Sequence, residues 1–160
     1  MNSKIIIRQY TCEDAQNLAK IYFHTIHEVN SQDYSEEQIN AWAPSSSLET
    51  KGWKKKWENL IPIVAQLDDV VVGFVELESN GHIDCFYVHH EYQRCGVGSL
   101  LMDEVFNKAK ASQLKRVYAE VSITAKPFFE SKGFNVVKQQ NVNIRGIELT
   151  NFVMEKNISP

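Results

Sequence analysis

The sequence predicts an α/β fold with a mixed β-sheet, and three observations carry this prediction. Residues 61–88 hold three short apolar or β-branched segments separated by turn residues, which is typical of antiparallel strands. Residues 99–111 place apolar side chains at three- and four-residue spacings, which indicates an amphipathic helix. Another apolar segment follows at Arg116–Val121, so residues 83–121 form a strand–helix–strand unit. The two strands of such a unit run parallel, with a right-handed crossover.

The N-terminal part predicts one strand and two helices. Lys4–Gln9 is β-branched, and Thr11 is followed three residues later by an acid, which is typical of a helix start. The helix that follows has one apolar face, made of Ala15, Leu18, Ala19, Tyr22, Phe23 and Ile26. Ser35 begins a second helix that ends before Pro44, and residues 43–52 are predicted to be a loop.

The basic and aromatic segment at residues 53–57, WKKKW, allows three interpretations. It forms the solvated face of a helix, the entrance for an anionic ligand, or a nucleic-acid contact. Nothing else in the sequence supports the third, because 17 basic and 20 acidic residues leave a net charge of −3 and no global basic field. We therefore expect no nucleic-acid partner.

The remaining chain completes a sheet of seven strands. The turn residues at 67–69 and Asn80-Gly81 separate strands at 61–66, 70–78 and 83–88. Thr124 is predicted to cap a short helix through Lys132, where Gly133 ends it. Strands at 134–144 and 147–155 form a final pair, and the element order is β-α-α-β-β-β-α-β-α-β-β.

Composition indicates an ordinary globular protein. A chain of 160 residues with 43% hydrophobic and 23% charged residues is expected to form a single domain over residues 1–160. The N-terminal segment MNSKIIIRQY has only three consecutive apolar residues, which are too few for a signal peptide or a membrane span. Three cysteines without CxxC spacing favour a reducing compartment. We expect a cytoplasmic protein that does not associate with membranes.

The stretch at residues 82–111 predicts an anion site. A strand leads into a loop with Gly96 and Gly98, and a helix follows; unpaired N–H groups and the macrodipole of a helix N-terminus attract phosphate. A Walker motif is excluded, because Ser99-Leu100 replaces the required lysine and hydroxyl residue. The dinucleotide-binding motif GxGxxG fits poorly, because position 101 is leucine where the motif has its third glycine. That motif is followed by an acidic residue about 20 positions later, and Glu120 lies near that position.

A different spacing fits better. Gln93-Arg94-Cys95-Gly96-Val97-Gly98 has the pattern Q/R-x-x-G-x-G/A and resembles motif A of the GCN5-related N-acetyltransferase (GNAT) family. The flanking segments FYVHHEY and AKPFFESKGF are also similar to the family, and the element order agrees over residues 4–155. The segments EEQINAW, EVSITAKPFFESKGF and ELTNFVMEK resemble the bacterial YafP-like branch.

The resemblance implies a fold and a reaction. The fold is a GNAT-like mixed, mostly antiparallel sheet of about seven strands flanked by four to five helices. The reaction is transfer of the acetyl group of acetyl-CoA to a primary amine by direct attack in a ternary complex, without a metal. The acceptor is a small molecule or a peptide, and the protein is a monomer or a homodimer. The alternative is a catalytically impaired acyl-CoA-binding sensor or interaction module.

The resemblance also implies where coenzyme A binds. Its pyrophosphate lies on the loop formed by Gln93, Arg94, Cys95, Gly96, Val97, Gly98 and Ser99. Its pantetheine arm pairs like an extra strand with Phe86, Tyr87 and Val88. A backbone N–H of that strand then stabilises the oxyanion that develops on the thioester.

The proton-transfer residues are less well defined by the resemblance. Glu120 is the expected base, and Glu76, Glu78 and Asp84 are its competitors on neighbouring strands. Position 129 departs from the family, because phenylalanine stands where many members carry a tyrosine that protonates the thiolate. Either another hydroxyl protonates the thiolate, with Tyr118, Ser122 and Tyr87 as the candidates, or the thiolate leaves unprotonated. Period-2 alternation places Asp84 and Phe86 on the same face of their strand.

Other polar and aromatic residues allow weaker interpretations. His82, Cys85, His89 and His90 do not match common zinc modules, and alternation places His82 and Cys85 on opposite faces of a strand. Cys95 is either a reactive thiol or a small loop residue. The acceptor region is expected at residues 24–57, with the candidates His24, His27, Tyr34 and Trp42.

Overall fold

The computed structural model describes residues 4–158 and contains one seven-stranded sheet in the order β1-β2-β3-β4-β5-β7-β6. All neighbouring strands are antiparallel except β4 and β5, which are parallel. The strands are β1 Ile5–Gln9, β2 Ile63–Leu67, β3 Val70–Leu77, β4 His82–Val88, β5 Arg116–Ser122, β6 Asn135–Ile144 and β7 Ile147–Asn157. The helices are α1 Ala15–Glu28, α2 Glu36–Trp42, α3 Lys51–Lys56, α4 Val97–Ala111 and α5 Lys126–Ser131. The predicted mixed, mostly antiparallel sheet with about seven strands is confirmed.

Helices cover both faces of the sheet. On one face, α4 and Phe129 of α5 pack into the largest apolar cluster, which includes Leu101, Met102 and Met154. On the other face, α1 packs with Trp57 against β2 and β3. The end of α1 and α2 packs against β7. Within residues 4–158 no helix is long and apolar enough to cross a membrane.

Two helix starts differ from the sequence prediction. Residues 43–52 were expected to be a loop, but they include a 3₁₀ turn at Ser45–Leu48 and the first residues of α3. Thr124 does not cap α5, because its hydroxyl donates to Asp33 at 2.8 Å. The Ser122 hydroxyl instead accepts the Ala125 N–H at 3.0 Å, immediately before the helix. The Ser35 cap of α2 is confirmed, with the Gln38 N–H as donor.

The segment at residues 53–57 is only partly a solvated helical face. Trp57 is 2% exposed, and its ring stacks on that of Trp53 with 5.1 Å between the ring centroids. Lys54 and Lys55 are exposed, whereas Lys56 makes ion pairs on the sheet. The two tryptophans thus anchor α3 against the sheet, which the lysine run conceals in the sequence.

A β-bulge interrupts the alternation of β4. Val75 pairs with Phe86 and Leu77 pairs with Ile83, so two residues of β4 lie opposite the single residue Glu76 of β3. Ile83 and Phe86 both join the core under α4. Asp84 and Cys85 therefore share the other face, beside Glu76.

The bulge overturns two expectations from strict alternation. Asp84 and Phe86 lie on opposite faces rather than on one face, and His82 and Cys85 share a face rather than opposing each other. The physical reason is the extra residue, which reverses the side-chain direction for the rest of the strand.

Strands β4 and β5 separate toward their C-terminal ends. Their described pairing is limited to His82 with Tyr118 and Ile83 with Ala119. From Asp84 to Val88, β4 pairs with β3 on one side and faces a gap on the other. This gap positions the site described next.

Candidate active site

A cavity of about 360 Å³ lies where β4 and β5 separate and the first turn of α4 begins. The predicted site residues that line it are Phe86, Tyr87, Val88, Gln93, Arg94, Gly96, Gly98, Ser99, Glu120 and Ser122. The predicted residues that do not line it are Cys95, Val97 and Tyr118. The volume is in the range of small-molecule sites in proteins. One cavity thus joins the glycine loop to the expected base.

The glycine loop presents unpaired backbone N–H groups. Gly96 has a φ of +86°, a conformation suited to glycine, and it precedes Val97, where α4 begins. The first intrahelical hydrogen bond runs from the Leu100 N–H to the Gly96 carbonyl at 3.2 Å. The N–H groups of Val97, Gly98 and Ser99 therefore have no acceptor within the helix, and they lie at its positive end. Val97 contributes only backbone here, because its side chain is buried in the core.

Gly98 keeps the loop close to the wall of the cavity. A Cβ at this position would lie 3.1 Å from Cζ of Phe128 and 3.7 Å from a methyl group of Val88. Both neighbours line the cavity. A side chain at position 98 would therefore occupy space next to the exposed N–H groups, which explains why glycine is needed there.

The loop before Gly96 is held by its own side chains. The Gln93 amide donates to the Val88 carbonyl at 2.7 Å and to the His89 carbonyl at 3.4 Å. Arg94 has a φ of +60°, unusual for a residue with a side chain, and is exposed. The thiol of Cys95 is exposed and donates to the Gln93 carbonyl at 3.4 Å. Gln93 thus shapes the loop, and Arg94 is the loop cation at the cavity.

Helix α1 contributes lining residues that the sequence did not single out. The Thr25 hydroxyl donates to the Val88 carbonyl at 2.9 Å, and the Asn30 amide donates to the Ser122 hydroxyl at 3.3 Å. Both side chains are almost fully buried and line the cavity with Val29. A polar residue on the buried face of a helix was the signal available for Thr25, but many such residues only bond their own backbone.

Glu120 and Ser122 point into the cavity, whereas Tyr118 does not. The Glu120 carboxylate is half-exposed and lies at hydrogen-bond distance, 2.5 Å, from His82 Nε2. The Ser122 oxygen accepts from Asn30 and Ala125, which leaves its O–H free to donate. The Tyr118 hydroxyl accepts from Asn80 at 3.1 Å, and its ring lies under the guanidinium of Arg116.

Two aromatic residues at the cavity, Phe129 and Tyr87, decide which hydroxyl is placed to assist the departing thiolate. Phe129 is 4% exposed and packs with Phe86 and Phe134, but its ring also lines the cavity. Tyr87 lines the cavity too, and burial of its hydroxyl raises its pKa well above the usual value. The Tyr87 ring packs against the apolar clusters on the α1 side of the sheet, and its raised pKa makes it a weaker acid than an ordinary tyrosine. Ser122 lines the cavity with an O–H that is free to donate a hydrogen bond, so it is the better-placed hydroxyl on geometry.

Two of the three competing carboxylates, Glu76 and Asp84, form an ion-paired cluster with Lys56. Lys56 Nζ lies 2.6 Å from the fully buried Glu76 and 2.7 Å from Asp84. Burial opposes the charge on Lys56, but the acidic groups Cys85, Glu76 and Asp84 raise its pKa above the usual value. Of the three competing carboxylates, only Asp84 lines the cavity. Ligand atoms of Glu76, Asp84 and Cys85 lie within 4.8 Å of one another, and Lys56 supplies the positive charge that the carboxylates share.

The other candidate residues are distributed over several places. Trp42 lines the cavity, whereas Tyr34 is a core residue whose hydroxyl donates to the Thr150 carbonyl at 2.6 Å. His27 bonds the Ala43 carbonyl at 2.8 Å. His24 lines a second cavity of about 340 Å³ together with His89 and His90. The four residues weighed as a zinc set, His82, Cys85, His89 and His90, are not brought together, since β4 separates His82 from the histidine pair.

Comparisons with known proteins agree with this geometry. The sequence model of the acetyltransferase (GNAT) domain matches residues 30–156. The Escherichia coli (strain K12) protein named uncharacterized N-acetyltransferase YafP is 38% identical over 152 residues, covering 95% of both chains. A GCN5-related N-acetyltransferase from Rhodopseudomonas palustris is 32% identical with a TM-score of 0.90, covering 98% of both chains. The PaiA N-acetyltransferase from Thermoplasma acidophilum, in complex with coenzyme A, is 21% identical with a TM-score of 0.76, covering 96% of this chain and 99% of that one.

Proposed function

Because the chain belongs to the GNAT acetyltransferase family, in its YafP-like branch, we propose that it transfers the acetyl group of acetyl-CoA to a primary amine by direct attack in a ternary complex. The observation that carries this proposal is the single cavity lined both by the loop before α4 and by Glu120. The coenzyme A bound to the PaiA relative of the same fold supports the choice of cosubstrate.

Coenzyme A binds along the gap between β4 and β5. Its pyrophosphate accepts hydrogen bonds from loop N–H groups between Arg94 and Ser99, at the positive end of α4. Its pantetheine arm pairs with β4 at Phe86–Val88, where β5 leaves the strand edge free. A β4 N–H then faces the thioester oxygen and stabilises the charge that develops there.

Glu120 acts as the base. A lysine-like amine has a pKa of about 10.4 and arrives protonated near neutral pH. Glu120 removes one proton, and the nitrogen lone pair attacks the thioester carbon. The carbon–sulfur bond breaks as the nitrogen loses its second proton and the amide forms, and the released thiolate takes up that second proton. The thiol of coenzyme A has a pKa of about 8.5 if it behaves as a free thiol, so the thiolate leaves without a strong acid, with the Ser122 O–H as a hydrogen-bond donor.

A thiol-release assay tests the reaction. Acetyl-CoA is incubated with peptides, polyamines and aminoglycosides, and we expect release of coenzyme A with at least one acceptor. Glu120→Gln should lower kcat at pH values below the pKa of the amine, with little change in the KM for acetyl-CoA. Glu155→Gln is the matched control, because this β7 carboxylate pairs with Arg116 and does not line the cavity. A Glu120→Gln variant with the wild-type pH–rate profile would remove Glu120 as the base.

The second candidate function is a coenzyme A-binding module without catalysis. Phe129 favours it, because this ring lines the cavity at the position where the family usually has a proton-donating tyrosine. Tight binding of coenzyme A with no turnover on any amine would support the module and count against the enzyme.

A further inference from the structure

His82 links Glu120 at the cavity to a second carboxylate outside it. Its Nε2 lies 2.5 Å from Glu120, and its Nδ1 contacts the carboxylate of Glu78. Neither His82 nor Glu78 lines the cavity. The His82 side chain is 17% exposed, whereas that of Glu78 is 42% exposed. The Glu120 side chain is 45% exposed, but it lines the cavity, where a bound ligand covers it. The imidazole thus lies between a carboxylate at the ligand cavity and one that reaches solvent outside it.

The position of the His82 ring is set by the turn between β3 and β4. The His82 N–H donates to the side chain of Asn80 at 3.0 Å, and the His82 carbonyl accepts the Glu78 N–H at 2.8 Å. The Tyr118 ring packs beside the imidazole, with 5.1 Å between the centroids. Turn, strand and ring therefore hold the imidazole in line with both carboxylates, so the arrangement is more specific than a mobile surface ion pair.

The two contacts require one extra proton in this cluster. A neutral imidazole has one N–H, so it donates to only one carboxylate. Both nitrogens are satisfied only if the ring is an imidazolium or if one of the acids carries the proton. Burial opposes the charged ring, but hydrogen bonds to Glu120 and Glu78 raise the pKa of His82 above its usual value.

We propose that His82 is a positioning residue that orients Glu120 and, with Glu78, carries the proton removed from the acceptor amine to solvent. The proton balance is simple. Before the transfer His82 is neutral and carries its proton on Nδ1, so Nε2 can accept a proton. Glu120 takes one proton from the ammonium, passes it to His82 Nε2 as the Nδ1 proton moves to Glu78, and Glu78 releases that proton to water. Both carboxylates end ionised, and His82 ends with its single proton on Nε2 and regains the Nδ1 tautomer by exchange with water. This inference rests on the proposed function, in which Glu120 is the base.

The kinetics of three variants test the proposed proton path through His82 and Glu78. Glu78→Gln and His82→Gln should each lower kcat at least about tenfold while the KM for acetyl-CoA stays within about twofold, because neither residue lines the cavity. Glu155→Gln removes a carboxylate from the neighbouring strand and should retain wild-type turnover. A Glu78→Gln variant with wild-type kcat from about pH 6 to about pH 9 would overturn the proposed proton path.

An NMR titration of the His82 imidazole tests its contacts with Glu78 and Glu120 without any turnover. The groups that face the ring are Glu78 from the turn after β3 and both Glu120 and Tyr118 from β5. Arg116, paired with Glu155, lies beyond the Tyr118 ring. Removing either carboxylate partner should lower the pKa of His82 by about one unit, whereas Glu155→Gln should leave it nearly unchanged.

The two measurements separate the possible failures. A pKa of His82 that does not respond to Glu78→Gln or Glu120→Gln would show that the contacts of His82 with Glu78 and Glu120 do not form in solution. A wild-type protein that turns over no amine, but whose His82 pKa responds as expected, would refute the proposed function instead and with it the proton path.

Discussion

At the scale of single residues, the polar groups around the cavity have separate tasks. Gln93 and Thr25 both donate to the Val88 carbonyl, which fixes the end of β4 next to the loop. Glu120 reaches the cavity and is paired on its far side with His82. Glu76 is fully buried and relies on Lys56 for its charge balance. The contacts that fix the loop, the carboxylate at the cavity and the buried ion pair thus involve different side chains.

Gly98→Val should abolish binding of coenzyme A while the fold is retained. A Cβ at this position lies 3.1 Å from Phe128, so a branched side chain displaces that ring or fills the space beside the N–H groups. We expect affinity to fall at least about tenfold, or more than about 1.4 kcal/mol, by titration calorimetry. Gly52→Val is the control, since nothing lies within 4 Å of a Cβ there. Undiminished affinity in Gly98→Val would refute the loop as the pyrophosphate site.

Lys56→Met should destabilise the fold through Glu76. The variant leaves a fully buried carboxylate without its cation, and breaking such a pair costs about 3 kcal/mol or more. Chemical denaturation measures the loss, with Lys55→Met on the exposed side of α3 as the control. Adding Glu76→Gln should recover part of the lost stability, and equal stability of Lys56→Met and Lys55→Met would contradict this account.

At the scale of elements, the site depends on two irregularities in β4. The bulge opposite Glu76 turns Asp84 and Cys85 away from the core and returns Phe86 to it. The separation from β5 leaves the edge of residues 84–88 without a strand partner on that side. An unpaired inner edge in a mixed sheet is a place where an extended ligand can replace the missing strand.

Coenzyme A should slow hydrogen exchange in β4. If the pantetheine arm pairs with Phe86–Val88, amides that face the gap become protected when the ligand binds. Adenosine 3′,5′-bisphosphate has no pantetheine arm and should leave these amides unprotected. The turn at Arg145-Gly146, between β6 and β7, is an internal reference that should not respond to either ligand. Equal protection by both ligands, or none, would argue against pairing with β4.

At the scale of the whole molecule, the cavity connects both layers of the fold. Thr25 comes from α1, Asn30 from the 3₁₀ turn after it and Trp42 from α2 on one face, whereas the glycine loop leads into α4 on the other. A ligand in the cavity touches elements from both faces. We therefore expect coenzyme A to stabilise the chain as one unit.

Thermal unfolding tests this expectation. A ligand at about 100 times its Kd contributes about 2.7 kcal/mol of stability. For a domain of this size each kcal/mol raises Tm by about 2–4 °C, so coenzyme A should raise Tm by about 5–10 °C. Because residues 1–160 are predicted to form a single domain, we expect one unfolding transition, which shifts to higher temperature as a whole. Two transitions of which only one moves would contradict a single cooperative unit.

The sequence alone determined the order of the seven strands, the parallel strand pair and the glycine loop before α4, but it missed helix α3. These depend on local signals: apolar periodicity for α4, turn residues between strands, and the spacing from Gln93 to Gly98. The mixed sheet follows from the strand–helix–strand unit around α4. Local chemistry therefore sufficed for the fold and for one half of the candidate site.

Only the tertiary structure decided which side chains meet. The bulge in β4 cannot be read from alternation, because one extra residue leaves no local mark in the sequence, yet it reverses the face on which Asp84 and Phe86 lie. The contacts of His82 with Glu120 and of Thr25 with Val88 join residues 38 and 63 positions apart. Such contacts depend on how strands and helices are packed, which is a property of the whole chain and not of any one segment.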